Sequence, residues 1–315
     1  MSVDVIIPVY RPDNGLIALF DGLGKQSIAP ERIIIMNTEQ KYWEAFFYEH
    51  PQYQLPKNLE VHHLSKREFD HGATRRSAMN KSSAEFALLM TQDAIPSDER
   101  LIEQLLSPLL ADETIAASYA RQLPKEDAGE IEKYTRAFNY PETSQVKRKE
   151  DVEKLGIKAY FCSNVCAMYR KEIYTALGGF VKSAIFNEDM IFAHACIEAG
   201  YGIAYAADAQ VYHSHNYTDR QQFHRNFDLG VSQAEHPEIF AQISSGAEGI
   251  RLVKATAAYL RSIGEGRQIP RLITASGSKF LGYRMGKRYQ KLSHKRILKY
   301  TMNQEYWYRK WDKTN

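Results

Sequence analysis

The chain has 315 residues, of which 44% are hydrophobic, and this composition excludes intrinsic disorder and collagen-like structure. Enough apolar residues are present for one large domain with an appendage. No apolar run reaches the roughly 20 residues that cross a bilayer, and Met1 leads directly into a strand-like segment, so we expect a cytoplasmic protein without a signal peptide.

Charge is distributed unevenly along the chain, although the net charge is only +3. Residues 251–315 contain 16 Lys and Arg against three acidic residues, which gives this tail +13 and leaves −10 for residues 1–250. The acidic body and the basic tail are therefore expected to face different partners.

The three cysteines, Cys162, Cys166 and Cys196, are an odd number and too few for a four-thiolate zinc site. A reducing compartment disfavours disulfides. We expect these cysteines to be buried and free, acting as small hydrophobic residues.

The first third of the chain alternates between strand and helix patterns. The predicted strands lie at residues 3–9, 32–36, 59–64 and 86–90, and the predicted helices at 16–23 and 72–83. This alternation indicates βαβ units and a mostly parallel sheet, whose ligands bind at the carboxyl ends of the strands. The chemistry is therefore expected near Tyr10, Asn37 and Asp93.

The pattern loosens and becomes charged over residues 113–156, where we expect a mobile loop at Gln145–Lys154. Order returns at Tyr160–Arg170 and continues through a helix from Asn187 to a strand at Gln210–His213. Beyond Gly230 no strand is predicted, and residues 250–263 and 279–300 have the pattern of basic helices. We predict an α/β domain over residues 1–230 and a basic helical region over residues 231–315.

Two acidic sites lie at the ends of apolar segments. Asp93 follows a hydrophobic strand, where its carboxylate could bind Mg²⁺ or Mn²⁺ or act only as a turn or helix-capping residue. Glu188 and Asp189 open a helix, so they are either partners of the helix dipole or candidates for a general base.

Two histidines lie at the end of the last predicted strand. Strand alternation places His213 and His215 on one face, with Tyr212 and Ser214 on the other. Two histidines on one face favour metal or phosphate binding about as strongly as a structural role.

Five short motifs occur in an order that resembles family 2 glycosyltransferases. They are Ile6–Tyr10, Asp70–Arg75, Thr91–Ala94, Asn187–Asp189 and His213–Tyr217. Within the family, the chain looks most like the bacterial rhamnosyltransferases that build surface polysaccharides. The resemblance covers about residues 1–230.

The resemblance implies a GT-A fold, in which residues 1–115 form the nucleotide-sugar half and residues 116–230 the acceptor half. It also implies an inverting single displacement and a divalent cation, Mg²⁺ or Mn²⁺, held by an Asp-x-Asp motif. In this chain Thr91 replaces the first acid of that motif, which leaves Asp93, and His213 is the better candidate to assist it as a metal ligand.

The resemblance also assigns roles to individual residues. Asp189 matches the catalytic base, with Glu188 beside it to shape the acceptor pocket. Positions that match donor-binding residues are Pro8, Tyr10, Thr38, Glu39, Asp70, Arg75, Gln92 and Asp93. Arg75 is equally well explained as a solvated helix charge. Asn164, His215 and Tyr217 match positions near the acceptor.

The resemblance predicts transfer of a sugar, best assigned as L-rhamnose from dTDP-rhamnose, to a hydroxyl group of a saccharide or lipid-linked acceptor. The tail combines basic residues with Tyr300, Tyr306, Trp307, Tyr308 and Trp311, a composition suited to the surface of an anionic membrane. A solvated helical cover or a homodimer surface explains the same composition equally well.

Two other functions fit the sequence less well. A sugar-phosphate nucleotidyltransferase would need a glycine-rich loop with Arg and Lys for a triphosphate, and no such loop follows Tyr10. A nucleic-acid-binding protein could use the basic tail, but it would leave Glu188 and Asp189 without a purpose. We therefore expect no nucleic-acid partner.

Overall fold

The computed structural model describes residues 1–241 and 246–312. The chain folds into two units that are interleaved along the sequence. The first consists of residues 1–123, 140–183 and 188–213, and the second of residues 124–139, 184–187 and the described part of 214–315. The division at residue 230 into a catalytic domain and a helical region stays a prediction.

The first unit is built on a mixed sheet. Its strands in the described residues are β1 (Val3–Tyr10), β2 (Arg32–Thr38), β3 (Leu59–Leu64), β4 (Phe86–Met90), β5 (Ile95–Pro96), β6 (Ile115–Leu123), β7 (Gln145–Lys147), β8 (Cys166–Arg170) and β9 (Gly202–Tyr212). The strand order is β3-β2-β1-β4-β8-β6-β9-β5, and β7 pairs with β9. Strands β3, β2, β1 and β4 are all parallel, β8 is antiparallel to both of its neighbours, and β6 is parallel to β9. The predicted α/β architecture with a mostly parallel mixed sheet is confirmed.

The helices complete the two units. In chain order they are α1 (Asn14–Gly24), α2 (Gln40–Glu49), α3 (His71–Lys81), α4 (Leu101–Ala111), α5 (Glu130–Asn139), α6 (Val152–Leu155), α7 (Lys171–Ala176), α8 (Glu188–Glu198), α9 (Asp219–Glu235), α10 (Pro237–Phe240), α11 (Gly246–Ser262), α12 (Ile269–Gly286), α13 (His294–Tyr300) and α14 (Gln304–Asp312). Helices α5 and α9–α14 belong to the second unit, which has no strand among its described residues.

Burial in the core of the first unit explains why its central strands contain continuous runs of apolar residues. All five residues of β4 are buried, as are Val5, Ile6 and Ile7 of β1. Strands in a parallel sheet are covered on both faces, so their sequences lack polar alternation. The three cysteines are free and buried, as predicted. Burial raises the pKa of the Cys162 thiol to about 12.

The second unit contains a close crossing of α9 and α12 that depends on glycine. A Cβ atom at Gly282 would lie 2.2 Å from the carbonyl oxygen of Phe223, and one at Gly286 would lie 2.1 Å from that of Phe227. Gly230 of α9 faces the backbone of α12 in the same way. The two backbones approach this closely only because three side chains are absent.

Three sequence predictions require correction. Residues 113–156 contain β6, which the pattern missed because alanines take the place of β-branched residues, and the predicted Gln145–Lys154 loop contains β7, a 3₁₀ turn and α6. Strand β9 begins at Gly202 rather than Gln210 for the same alanine-rich reason. The single basic helix predicted over residues 279–300 is interrupted between α12 and α13. Among the described helices, none combines the length and apolar character that a membrane span requires.

Candidate active site

The strand order reverses direction between β1 and β4, and this point organises the site. Parallel sheets bind ligands in the crevice that such a reversal creates at the carboxyl ends of the strands. The Oε1 atom of Gln92, just after β4, accepts a hydrogen bond of 2.8 Å from the backbone N–H of Tyr10 at the end of β1. Tyr10, Asn37 and Asp93 thus follow or end neighbouring parallel strands, as predicted.

The antiparallel strand β8 begins at the same edge where β4 ends. The backbone N–H of Thr91 donates to the carbonyl oxygen of Val165 at 3.1 Å, which places Asn164 beside the end of β4. Strands β6 and β9 also end here, and the backbone N–H of His213 donates to the carbonyl of Leu123 at 2.9 Å. One edge of the sheet therefore collects polar residues that are distant in sequence.

Asp93 and His213 form a close pair at this edge. The distance between Asp93 Oδ2 and His213 Nε2 is 3.5 Å. On the other side of the ring, His213 Nδ1 lies 3.0 Å from Gln122 Oε1, and the Gln122 amide nitrogen donates to Ser163 Oγ at 3.0 Å. Because a carbonyl oxygen only accepts, Nδ1 carries a hydrogen, and a neutral ring presents its Nε2 lone pair toward Asp93.

This pair suits a divalent cation. With a protonated ring it is an ion pair, but with a neutral ring two lone pairs face each other, and a cation between them would relieve the repulsion. Two ligands about 2.1 Å from an ion at right angles lie about 3 Å apart, so the observed separation requires little adjustment. One carboxylate and one imidazole favour Mn²⁺ over Mg²⁺, which prefers oxygen ligands.

The second acidic site is held by Asn164. Asp189 Oδ2 accepts the backbone N–H of Asn164 at 3.0 Å, and Asp189 Oδ1 accepts the backbone N–H of Met190 at 2.8 Å. The Asn164 amide donates to Glu188 Oε1 at 3.0 Å and accepts the Tyr169 hydroxyl at 2.7 Å. These contacts favour a positioning role for Asn164 over the predicted contact with the acceptor.

The environment of Asp189 changes its acidity. Removal from water, together with the negative charge of Glu188, raises the pKa of Asp189 to about 7. The two backbone hydrogen bonds and the charge of Arg75 act in the opposite direction and are outweighed. A carboxylate that titrates near neutral pH has the acidity expected of a general base.

Arg75 and Asp70 are engaged within the protein. Arg75 is buried, and its Nη1 lies 3.3 Å from Glu188 Oε1. Asp70 caps α3 by accepting the backbone N–H groups of Gly72 and Ala73, while its Oδ2 accepts from Ser183 Oγ at 2.7 Å. Their predicted contacts with phosphate and with the base stay predictions.

The ends of β1 and β2 carry the remaining predicted donor residues. Pro8 is half-buried within β1. Tyr10 is exposed, and its ring meets the Tyr42 ring edge-on with the two ring centroids 5.7 Å apart. The buried Thr38 Oγ1 has no hydrogen-bond partner in the described part of the chain. Glu39 accepts the backbone N–H of Lys66 at 2.6 Å and thereby ties the end of β2 to the loop after β3.

The two remaining predicted acceptor residues belong to the second unit. The rings of His215 and Tyr217 are stacked with their centroids 4.8 Å apart. Arg225 lies over the Tyr217 ring at 5.9 Å. Within its unit, His215 is therefore part of an aromatic and cationic group.

Sequence reasoning missed Gln122 and Tyr169, which support the two acidic sites from behind. Gln122 lies on β6, the strand that the sequence pattern did not reveal. Tyr169 has the sequence pattern of an ordinary core residue of β8, and the hydrogen bond that its hydroxyl donates to Asn164 inside the core has no signature in the sequence. An alternation analysis that includes alanine as a strand residue would have revealed β6, although not the role of Gln122 on it.

A crevice at a reversal of strand order, with a candidate base and a candidate cation pair on one edge of the sheet, is the arrangement of an α/β enzyme that binds a nucleotide ligand. The family model described as "Glycosyl transferase family 2" matches residues 4–178. The chain belongs to this family and is an inverting glycosyltransferase.

Two curated relatives are similar over nearly their whole lengths. The "O-antigen chain rhamnosyltransferase RfbN" of Salmonella typhimurium is 38% identical over 309 residues, which cover 98% of this chain and 96% of the relative. The "O-antigen chain rhamnosyltransferase WbaN" of Salmonella anatum is 42% identical over 312 residues, covering 97% and 96%.

Solved structures support the GT-A fold. The mannosyltransferase PcManGT from Pyrobaculum calidifontis, in complex with GDP-Man and Mn²⁺, has a TM-score of 0.57 at 15% identity and covers 92% of this chain and 88% of its own. S. aureus TarS 1–349, in complex with UDP-GlcNAc, has a TM-score of 0.52 at 15% identity and covers 92% of each chain. The GT-A prediction is confirmed at the level of fold.

Proposed function

We propose that the enzyme transfers L-rhamnose from dTDP-rhamnose to a hydroxyl group of a saccharide or lipid-linked saccharide during synthesis of an O-antigen-type polysaccharide. The names of both Salmonella relatives support the sugar and the polymer. The observation that carries the chemistry is the position of the Asp189 carboxylate, which two backbone hydrogen bonds fix in place and whose pKa burial raises to about 7.

In this mechanism Asp189 accepts the proton of the acceptor hydroxyl as that oxygen attacks the anomeric carbon. Attack comes from the side opposite the diphosphate, so the new carbon–oxygen bond forms as the bond to the departing dTDP breaks, and the configuration inverts. Glu188 is held by Arg75 and Asn164, and this network fixes the start of α8 and therefore the direction of the Asp189 carboxylate. Fixed orientation of a base accounts for much of its effect.

A divalent cation, Mn²⁺ or Mg²⁺, would be held by Asp93 and His213 and would supply positive charge to the departing diphosphate. Gln122 supports this role because it fixes the ring orientation of His213. The Mn²⁺ in the PcManGT complex is consistent with such an ion in a protein of the same fold.

The ends of β1, β2 and β4 are proposed to bind the nucleotide. Asn37 Oδ1, Thr38 Oγ1 and Thr91 Oγ1 are buried without hydrogen-bond partners among the described residues. Unsatisfied buried polar atoms are costly, so a bound ligand that pairs with them would gain affinity. The exposed ring of Tyr10 and the half-buried ring of Tyr42, which meet edge-on, suit contact with a base.

The second unit is proposed to attach the enzyme peripherally to the inner face of the membrane, where a lipid-linked acceptor would lie. The +13 charge of residues 251–315 supports this attachment because anionic lipids attract basic surfaces. A homodimer through the same unit is the alternative.

The donor is tested by incubating the purified enzyme and Mn²⁺ with dTDP-rhamnose, GDP-mannose or UDP-GlcNAc and a rhamnose-accepting O-antigen oligosaccharide. We expect transfer only from dTDP-rhamnose, with inverted configuration at the anomeric carbon. Preferred transfer from either of the other donors would contradict the proposed sugar while leaving the family assignment intact.

A further inference from the structure

One side of α12 is exposed and carries apolar side chains. The side chains of Ile273, Phe280 and Leu281 are 59%, 58% and 56% exposed. Ile273 and Phe280 lie about half a turn from Gly282, on the opposite side of the helix, and Leu281 lies beside Phe280 at about 100° from Gly282. Since the glycine side packs against α9, the apolar side chains cannot turn inward without breaking that crossing.

Cations surround the exposed apolar side chains. A cleft of about 240 Å³ at the end of α12 is lined by Leu281, Arg284, Met285, Arg288, Lys291 and Leu292. Within the described ranges, none of Arg284, Arg288 and Lys291 forms a salt bridge, although many other surface cations of the chain do. Arg284 lies over the Phe280 ring at 6.0 Å. We call the exposed side of α12 together with this cleft the α12 surface.

We propose that the α12 surface is a binding site for anionic phospholipid, with Phe280 and Leu281 inserted at the level of the acyl chains and Arg284 and Arg288 on lipid phosphates. This proposal deepens, and rests on, the peripheral membrane attachment proposed above. Arginine pairs well with phosphate oxygens because its guanidinium group donates two parallel hydrogen bonds. Exposed apolar side chains next to arginines are the pattern of helices that lie in a membrane interface.

The α12 surface fits a second copy of the chain less well. In a twofold dimer the same surface would meet itself, so the unpaired arginines would face other arginines. Charge complementarity instead requires an anionic partner, and the apolar side chains require that partner to have an apolar layer beneath its charges. A phospholipid leaflet has both properties, whereas a nucleic acid has only the first.

The test is cosedimentation of the full-length protein with vesicles of phosphatidylglycerol and phosphatidylcholine, or of phosphatidylcholine alone. We expect wild-type protein to bind only the anionic vesicles. Phe280→Ser/Leu281→Ser removes apolar contact and should weaken binding by on the order of tenfold or more. Arg284→Gln/Arg288→Gln should weaken it by about 25-fold, at about fivefold for each cation.

A matched control removes the same charge from α11. Lys254 and Arg261 are exposed, so Lys254→Gln/Arg261→Gln tests total charge against position. We expect this control to bind anionic vesicles almost as well as wild-type protein. Equal weakening by the α11 and α12 charge variants, or undiminished binding of both α12 variants, would overturn the proposed site. Circular dichroism checks that every variant is folded.

Two further measurements separate the alternatives. Light scattering reports the oligomeric state. If wild-type protein is a dimer that does not bind vesicles, and Phe280→Ser/Leu281→Ser converts it to a monomer, the α12 surface is the contact with a second copy of the chain. Transfer to a lipid-free oligosaccharide should be equal in all variants. Absence of transfer with intact vesicle binding would contradict the proposed reaction alone. Transfer without vesicle binding would contradict the lipid site and the membrane attachment on which it rests, and would leave the proposed reaction intact.

Discussion

Replacing Asp189 by Asn should separate the catalytic cost of losing the base from its effect on stability. The side chain keeps its size, and its remaining oxygen can still accept one of the two backbone hydrogen bonds. We expect kcat to fall on the order of 10² to 10⁴-fold because an amide cannot accept the acceptor proton. Donor affinity should change little, since the base contacts the acceptor rather than the nucleotide.

The effect on stability follows from the raised pKa of Asp189. Between its ordinary value of 3.8 and about 7, the folded protein holds a proton that the unfolded chain has released. Stability therefore falls as pH rises through this window. About three pH units correspond to as much as about 4 kcal/mol. The substituted amide does not titrate. Between pH 4 and pH 8, the free energy of unfolding of the Asp189→Asn variant should therefore rise relative to that of wild-type protein by up to this amount.

Urea denaturation of both proteins at intervals from pH 4 to pH 8 measures the difference in free energy of unfolding. Transfer assays over the same range should show kcat/KM of wild-type protein rising with a midpoint near pH 7. Asp208→Asn, at an exposed aspartate, is the matched control and should change neither property. A difference in stability that does not vary with pH, or near-normal turnover by Asp189→Asn, would refute the assignment of the base.

Two other substitutions test the metal pair and the helix crossing. Gln122→Leu removes the acceptor that orients His213, so the Kd for Mn²⁺ by calorimetry should rise about 10 to 100-fold; unchanged affinity would contradict a metal role for the pair. Gly282→Ala places a Cβ 2.2 Å from a backbone oxygen and should destabilise the second unit by about 3 kcal/mol, measured by thermal denaturation. Gly277→Ala on the same helix meets nothing within 4 Å and should be neutral or stabilise by up to about 1 kcal/mol; equal effects of the two changes would refute the close crossing.

The parts of the fold that the sequence predicts well are those whose burial is uniform. Strand β4 is apolar throughout and β1 and β2 each contain a central apolar run, and this pattern indicated both the parallel sheet and the edge that carries Tyr10 and Asp93. Strand β6 is equally central, but its alanines and its terminal Arg-Gln-Leu resemble a loop. Periodicity detects a strand by contrast between large apolar and polar side chains, and that contrast is weak here.

The candidate site was predictable in its residues but not in its partners. Asp93, His213, Glu188 and Asp189 stand out because carboxylates and imidazoles at the ends of apolar segments are chemically conspicuous. The groups that orient them do not stand out, because an amide such as Gln122 has no periodic or charge signature. Their role depends on pairings across the sheet, which a single sequence does not specify.

The adjacent carboxylates of α8 illustrate why those partners decide function. Glu188 faces the guanidinium of Arg75 and the amide of Asn164, so it has a cationic partner at 3.3 Å. Asp189 has no salt bridge among the described residues, and its hydrogen bonds come from two neutral backbone N–H groups. Burial of the carboxylate, and then the charge of Glu188 next to it, disfavour the ionised form and raise the pKa of Asp189 to about 7. Of two acids that are adjacent in the sequence, Asp189, which forms no salt bridge among the described residues, is therefore able to take up a proton near neutral pH.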